Sequence, residues 1–412
     1  MGNGLKFFYA FAILGIFSYS QITSDFQSDK NCFTVTFTEI NNLIIFPVVL
    51  NESTAMNMIL DSGSPFTLIL ETAGLDELTI KKGKNITIGG LGHGYTIEAY
   101  DSRFNHLKVG KALKEDTNLI LIIDSPINLQ KFLGMPVHGV VGYDVLKDFV
   151  VEINYISKKL KFYKHDYFYA KKKHKIRKHD SFPLTFHERK PYIQAKVGYK
   201  SYHAEAANLL VDTGGWDAVW WFEQSEPHIP LPTRNYQDTL GYGINGPITG
   251  HRSKTDYIEL GEYKFNRPTT SFPDSASIAY AISHKSRNGS IGGEILKRFN
   301  VVFDYKNQLL YLRPNINFKN AFHYDMSGLK LEKPFIPLPF LEIVSIRPNS
   351  PAYHSGLKKG DLLVSINGDD IKQGELGKVN KLFSSKPGKK ITVSLLRDGQ
   401  KLSKSFYLAE PF

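Results

Sequence analysis

At 412 residues the chain is long enough for two or three domains of about 100 to 200 residues each. Apolar residues make up 42% and aromatic residues 13%, which excludes a disordered chain and favours a β-rich one. A single cysteine, Cys32, excludes an internal disulfide, so packing alone must hold the domains. The formal net charge is +11, but no aromatic-and-basic motif of a nucleic-acid module accompanies it, and no nucleic-acid partner is expected.

The N-terminus has Lys6, then the apolar run "FFYAFAILGIF" from Phe7, then small residues at Ser18 and Ser20. This pattern predicts a secretory signal over 1–20, cut after Ser20, and the run is too short for a comfortable membrane span. No other segment approaches a span, so no transmembrane segment is expected after signal removal.

Residues 21–165 are read as a first β-lobe. Alternating apolar residues begin at "NLIIFPVVLN" from Asn42, and "MNMILDSGS" from Met56 places Asp61 at the end of an apolar run. Gly-rich, hairpin-like sequence follows near "GGLGHGYTIEAY" from Gly89. The lobe closes on "GVVGYDVLKDFVVEINY" from Gly139, read as a short strand, one or two helical turns and a second strand. The basic run "KKKHKIRKH" from Lys171 lacks apolar periodicity and reads as a solvated linker over 166–182.

Residues 183–318 repeat this order. Gly139, Gly142, Leu146, Lys147, Phe149, Val151 and Tyr155 fall without a gap on the identical residues Gly289, Gly292, Leu296, Lys297, Phe299, Val301 and Tyr305. Nearly the same offset carries Asp61 in "LDSGS" onto Asp212 in "VDTGG". Asp, Ser and Gly are ordinary turn residues, so either motif alone is weak. Of all Asp-Ser and Asp-Thr pairs in the chain, however, only those at Asp61 and Asp212 are followed by glycine.

The pairing carries a physical logic. Each apolar strand delivers an Asp to a poorly solvated place, Ser62 and Thr213 can hydrogen-bond across to the opposite loop, and Gly63 and Gly214 permit a tight turn. Two carboxylates about 4 Å apart repel by roughly 4 kcal/mol at an effective dielectric near 20, enough to hold one shared proton over a wide pH range. Such a pair can activate a water and protonate a peptide carbonyl in one step, without metal or cofactor. The thirteen histidines show no HExxH spacing and no GxSxG occurs, so metallopeptidase and serine-hydrolase chemistry are not indicated.

From His323 a third unit, 323–412, contains "SPAYHSGLKKGDLLVSINGDDI", then Leu376, Val379 and Phe383 at helical spacing, then the strand pattern "ITVSLLRDG".

With these motifs in hand, the chain resembles the bilobal pepsin-like and retropepsin-like aspartic peptidases, most closely bacterial relatives that carry a C-terminal PDZ domain. The resemblance implies a mostly β fold: two pseudo-symmetric lobes followed by a β-rich PDZ domain with two helices. It makes Asp61 and Asp212 the catalytic pair, with Ser62, Gly63, Ser64, Thr213 and Gly214 as loop support and Val141, Gly142, Ile291 and Gly292 as buttress strands. The residue after the motif is Ser64 in one lobe and Gly215 in the other, so side-chain hydroxyl support to the carboxylates is expected on one side only. The flap aromatic would be Tyr95 or Tyr100. In the PDZ unit the loop with Ser327, Gly328 and Leu329 would hold a peptide carboxylate, opposite Val379. The implied protein is a periplasmic or cell-surface aspartic endopeptidase, acting on polypeptide substrates and recruiting peptides by their C-termini. A catalytically silent peptide-binding scaffold is the alternative.

Overall fold

A computed structural model describes residues 25–53, 55–70, 79–92, 96–123, 125, 127–282, 287–334, 338–372 and 376–412. The expected signal segment and Tyr95 lie outside these residues. The chain is mostly β, folded into several sheets with a PDZ domain at its C-terminal end.

The two Gly-containing segments occupy the same place in each half. The strand Gly139–Val141 runs parallel to Met56–Leu60, pairing Leu60 with Val141, and antiparallel to Leu68–Ile69. In the second half Gly289–Ile291 runs parallel to Tyr202–Val211, pairing Val211 with Ile291, and antiparallel to Val219–Trp221. Strands enclosed in a core need an apolar run, which Met58, Ile59 and Leu60 supply in one half and Leu209, Leu210 and Val211 in the other, all buried. Both Asp loops leave the C-terminal ends of these buried strands.

The repeats do not end in separate sheets. Val150–Asn154 and Phe299–Asp304 pair antiparallel with each other, from Val150 opposite Asp304 to Asn154 opposite Asn300. This seam lies at the centre of one six-stranded sheet built from both halves. A single apolar core lies behind it, including Phe46, Leu60 and Val151 from the first half and Val211, Phe303 and Leu310 from the second.

The basic run of the linker is largely exposed, as expected, but the segment is helical rather than a loop and is anchored at two points. His165–Tyr167, Phe168–Lys172 and Lys173–Ile176 form successive helical turns. Phe168 and Ile176 are buried against Val150, Tyr163, Val302 and Tyr311. Two buried apolar residues suffice to fix the segment, while Lys172, Lys173 and Lys175 lie over the rings of Tyr167, Tyr169 and Tyr163.

The last sheet runs in the order Leu329–Glu332, Leu341–Ile346, Leu362–Ile366, Lys390–Arg397 and Gln400–Tyr407, with the helices Pro351–His354 and Leu376–Phe383 and a core of its own. It is tied to the second half by Lys254 Nζ to Glu410 Oε2 at 3.1 Å and by Lys330 Nζ to the Tyr242 hydroxyl at 3.3 Å. Among the described residues no helix is long and apolar enough to cross a membrane.

Candidate functional site

Asp61 and Asp212 meet at the centre of the molecule. Asp61 N donates to Val141 O and Asp212 N donates to Ile291 O, each at 2.9 Å, so the parallel strand behind each loop fixes its start. Gly63 N donates to Asp61 Oδ1 at 2.7 Å and Gly214 N to Asp212 Oδ1 at 2.9 Å. The two loops then interlock. Ser62 Oγ donates to Val211 O at 2.6 Å and Thr213 Oγ1 donates to Leu60 O at 2.7 Å, while each hydroxyl accepts the other's backbone N–H at 2.9 and 3.0 Å.

Glycine is required where these loops touch. A Cβ on Gly214 would lie 2.5 Å from Asp61 Oδ2. In the strands behind, a Cβ on Gly142 would lie 2.3 Å from Ser64 O, and one on Gly292 would lie 2.4 Å from Asp217 O. The repeated glycines of the two halves are therefore points of backbone contact, beside buried Val141 and Ile291.

The two carboxyls face the same small space, since a Cβ on Gly63 would lie 3.2 Å from Oδ1 of each, and both are held above the ordinary carboxylate range. For Asp61 the causes are burial first, then repulsion from Asp212. For Asp212 burial is again first, but the positive charge of Arg287 pulls in the opposite direction. The shared proton belongs to the pair, and the charge of Arg287 favours ionisation on the Asp212 side.

The one-sided support expected from Ser64 does not take that form. Ser64 Oγ donates to Phe66 O at 2.8 Å, within its own loop. The backbone N–H groups of Ser64 and Gly215 donate to the main-chain carbonyls of Asp61 and Asp212 at 3.2 and 3.4 Å, and the N–H support to the carboxylates comes from Gly63 and Gly214, in both halves whatever the following side chain.

Sequence reasoning missed two cations near the pair. Arg287 is buried, donates from Nε to Gly289 O at 3.0 Å and lies over the Phe222 ring. Lys190, at the start of the strand Lys190–Tyr199, lies over Tyr280, and its pKa is lowered by burial and then by Arg287. Tyr305 also approaches from below, its hydroxyl 3.4 Å from Ser62 O.

The strands Lys84–Ile88 and Ile97–Val109 form the hairpin in which the flap was expected. Its turn reaches the second half: Asn245 N donates to Leu91 O at 3.0 Å and Gly92 N to Ser277 O at 2.9 Å. Tyr100 is opposite Asn85 and Leu121, well along the strand from that turn. In the third unit Ser327 and Gly328 precede the edge strand Leu329–Glu332, which Leu329 begins, and Val379 lies on the helix Leu376–Phe383; Leu329 and Val379 are buried in the same core.

In comparisons with known proteins, no curated protein matches the chain. Residues 328–406 match the PDZ domain, and that part of the chain is a PDZ domain.

Proposed function

We propose that the protein is an exported aspartic endopeptidase whose PDZ domain serves peptide or partner binding. The observation that carries this reading is the reciprocal lock between the Asp loops, in which Ser62 and Thr213 each bond both backbone groups offered by the opposite loop. Such a lock holds two buried carboxyls against their mutual repulsion, and that repulsion is what keeps one proton on the pair.

In this mechanism Asp212, favoured as the carboxylate by Arg287, takes a proton from a water held between the two groups. Asp61 gives its proton to the carbonyl oxygen of the scissile peptide as the water oxygen bonds to carbon. As the tetrahedral intermediate collapses, Asp212 passes the proton it took from water to the nitrogen, Asp61 takes a proton back from one hydroxyl as the carbonyl re-forms, and the C–N bond breaks, which restores the pair. The hairpin around Gly89 would act as the flap, and the proposed setting is the periplasm or cell surface.

The test is cleavage of a denatured protein from pH 3 to 8 by wild type, Asp61→Asn and Asp212→Asn. Each substitution should lower the rate by about 10²- to 10⁴-fold or more. Undiminished cleavage by either variant would refute the mechanism. A wild-type protein that binds the denatured chain without cutting it would instead support the silent scaffold.

A further inference from the structure

PDZ domains bind an extended peptide by adding it to a sheet edge, with backbone amides holding its terminal carboxylate. Here the edge strand is Leu329–Glu332, which pairs on one side only, with Leu341–Ile346. The loop before it should supply the amides, and the helix Leu376–Phe383 forms the opposite wall. Both ends of this groove are already engaged by the chain itself.

At the carboxylate end every amide of the loop has an acceptor. Met326 N donates to Phe383 O at 3.0 Å. Ser327 N donates to Asp325 Oδ1 at 3.1 Å and Gly328 N to Asp325 Oδ2 at 2.6 Å. Leu329 N donates to Ser327 Oγ at 3.0 Å, and that hydroxyl donates to Asp325 Oδ1 at 2.6 Å. One internal carboxylate therefore takes the donors that a peptide terminus would need. Its charge is met by Arg347, whose Nη1 lies 3.8 Å from Asp325 Oδ2 and whose Nη2 donates to Asp325 O at 3.2 Å. A second carboxylate would find no unused amide and would be repelled by the first.

At the far end stands a helix from the first half, Leu129–Leu133, capped by Asn128 at its start and by Gly134 in the left-handed conformation at its end. It touches both walls of the groove, Leu329–Glu332 and Leu376–Phe383. Lys333 N, just past the edge strand, donates to Lys131 O at 3.2 Å, the type of bond an added peptide would make. A Cβ on Gly134 would lie 3.1 Å from Leu376 Cβ, and Asn380 Nδ2 donates to Asn41 Oδ1 at 3.3 Å. Leu329, Leu331, Val379 and Phe383 are all buried.

We propose that the PDZ groove is occupied in cis: Asp325 fills its carboxylate end and the helix Leu129–Leu133 its far end, so that it does not select free C-termini. Asp325 is then the residue that determines this specificity. An external peptide enters only by displacing the helix. The inference is independent of the peptidase reading, since none of these groups belongs to the Asp pair.

The experiment uses the full chain and a fluorescein-labelled apolar tripeptide, short enough to occupy the carboxylate end alone, as free acid and as amide. Wild type should bind neither form, or bind both alike within about threefold, by fluorescence anisotropy. Asp325→Ala, which releases the amides of Ser327 and Gly328, should prefer the acid by about tenfold or more. A larger than threefold preference for the acid in wild type, or no preference in a folded Asp325→Ala variant, overturns the proposal. Should Asp325→Ala fail to fold, hydrogen exchange of wild type decides. Slow exchange at Ser327, Gly328, Leu329 and Lys333 without peptide is expected, and exchange of these amides at the rate of an unstructured chain overturns the proposal.

Discussion

Ser62 and Thr213 stand in the same relation to each other from both sides: each hydroxyl accepts the other's backbone N–H and donates to the carbonyl two residues before it in the opposite loop. All four bonds are buried, so removing one hydroxyl strands an N–H and a C=O away from water. Thr213→Ala should destabilise the fold by about 2 to 4 kcal/mol, at roughly 1 to 2 kcal/mol for each orphaned group, as measured by urea unfolding. Thr213→Ser, which keeps the oxygen, should cost much less. Equal losses from the two variants would mean that the methyl group, not the lock, matters.

The Asp pair should weaken the folded state as pH rises. Both carboxyls are held above their ordinary value of 3.8, Asp61 well above it, so in the window starting near that value the folded protein binds more protons than the unfolded chain. Stability from this source is full below pH 3.8 and is lost as pH rises through the folded values. Asp61→Asn cannot ionise and should escape the loss. Its melting temperature relative to wild type should be higher at pH 7 than at pH 4, and a gap that does not change with pH would contradict the burial of the pair.

Arg287 gives a third prediction. Its charge lowers the proton affinity of Asp212, so Arg287→Met should raise that affinity and move the acidic limb of a cleavage-against-pH profile to higher pH. Arg287→Lys should keep the limb in place. A purely structural role would lower the rate or the stability without moving the limb.

Glycine contacts behind the loops supply the fourth. Gly142→Ala places a Cβ 2.4 Å from Asp61 O, and Gly292→Ala places one 2.7 Å from Gly215 O, both rigid backbone atoms. Each should be destabilising by more than about 4 kcal/mol or prevent folding. Gly360→Ala is the control: its φ is +89° but nothing lies within 4 Å, so only backbone strain of about 1 to 3 kcal/mol is expected. Urea unfolding of the soluble variants compares the three.

Much of the architecture was legible in the sequence because its determinants are local. Apolar runs ending in Asp-Ser-Gly and Asp-Thr-Gly marked the buried strands and their loops, and the gapless match of Gly139 to Gly289 placed the two glycine strands in equivalent positions. In the third unit Leu376, Val379 and Phe383 at helical spacing marked the helix Leu376–Phe383. What stayed hidden depends on partners distant in sequence. Nothing in "VVEINY" says that its neighbour is "NVVFDY", since either could pair with any apolar strand. The helical turns of the linker were hidden because its lysines outnumber its two buried apolar residues. Arg287 and Lys190 have no local motif, and the amides of Ser327 and Gly328 looked open because Asp325 reads as one more turn residue.

The seam between Val150–Asn154 and Phe299–Asp304 makes the covalent connection between the halves mechanically redundant. With a backbone ladder and a common apolar core on either side of it, a cut in the exposed stretch around Lys171 would leave two fragments still held as one particle. The halves should also melt in one transition, so any opening at the Asp loops has to come from bending of this sheet and movement of its hairpins, with the halves staying joined along their base.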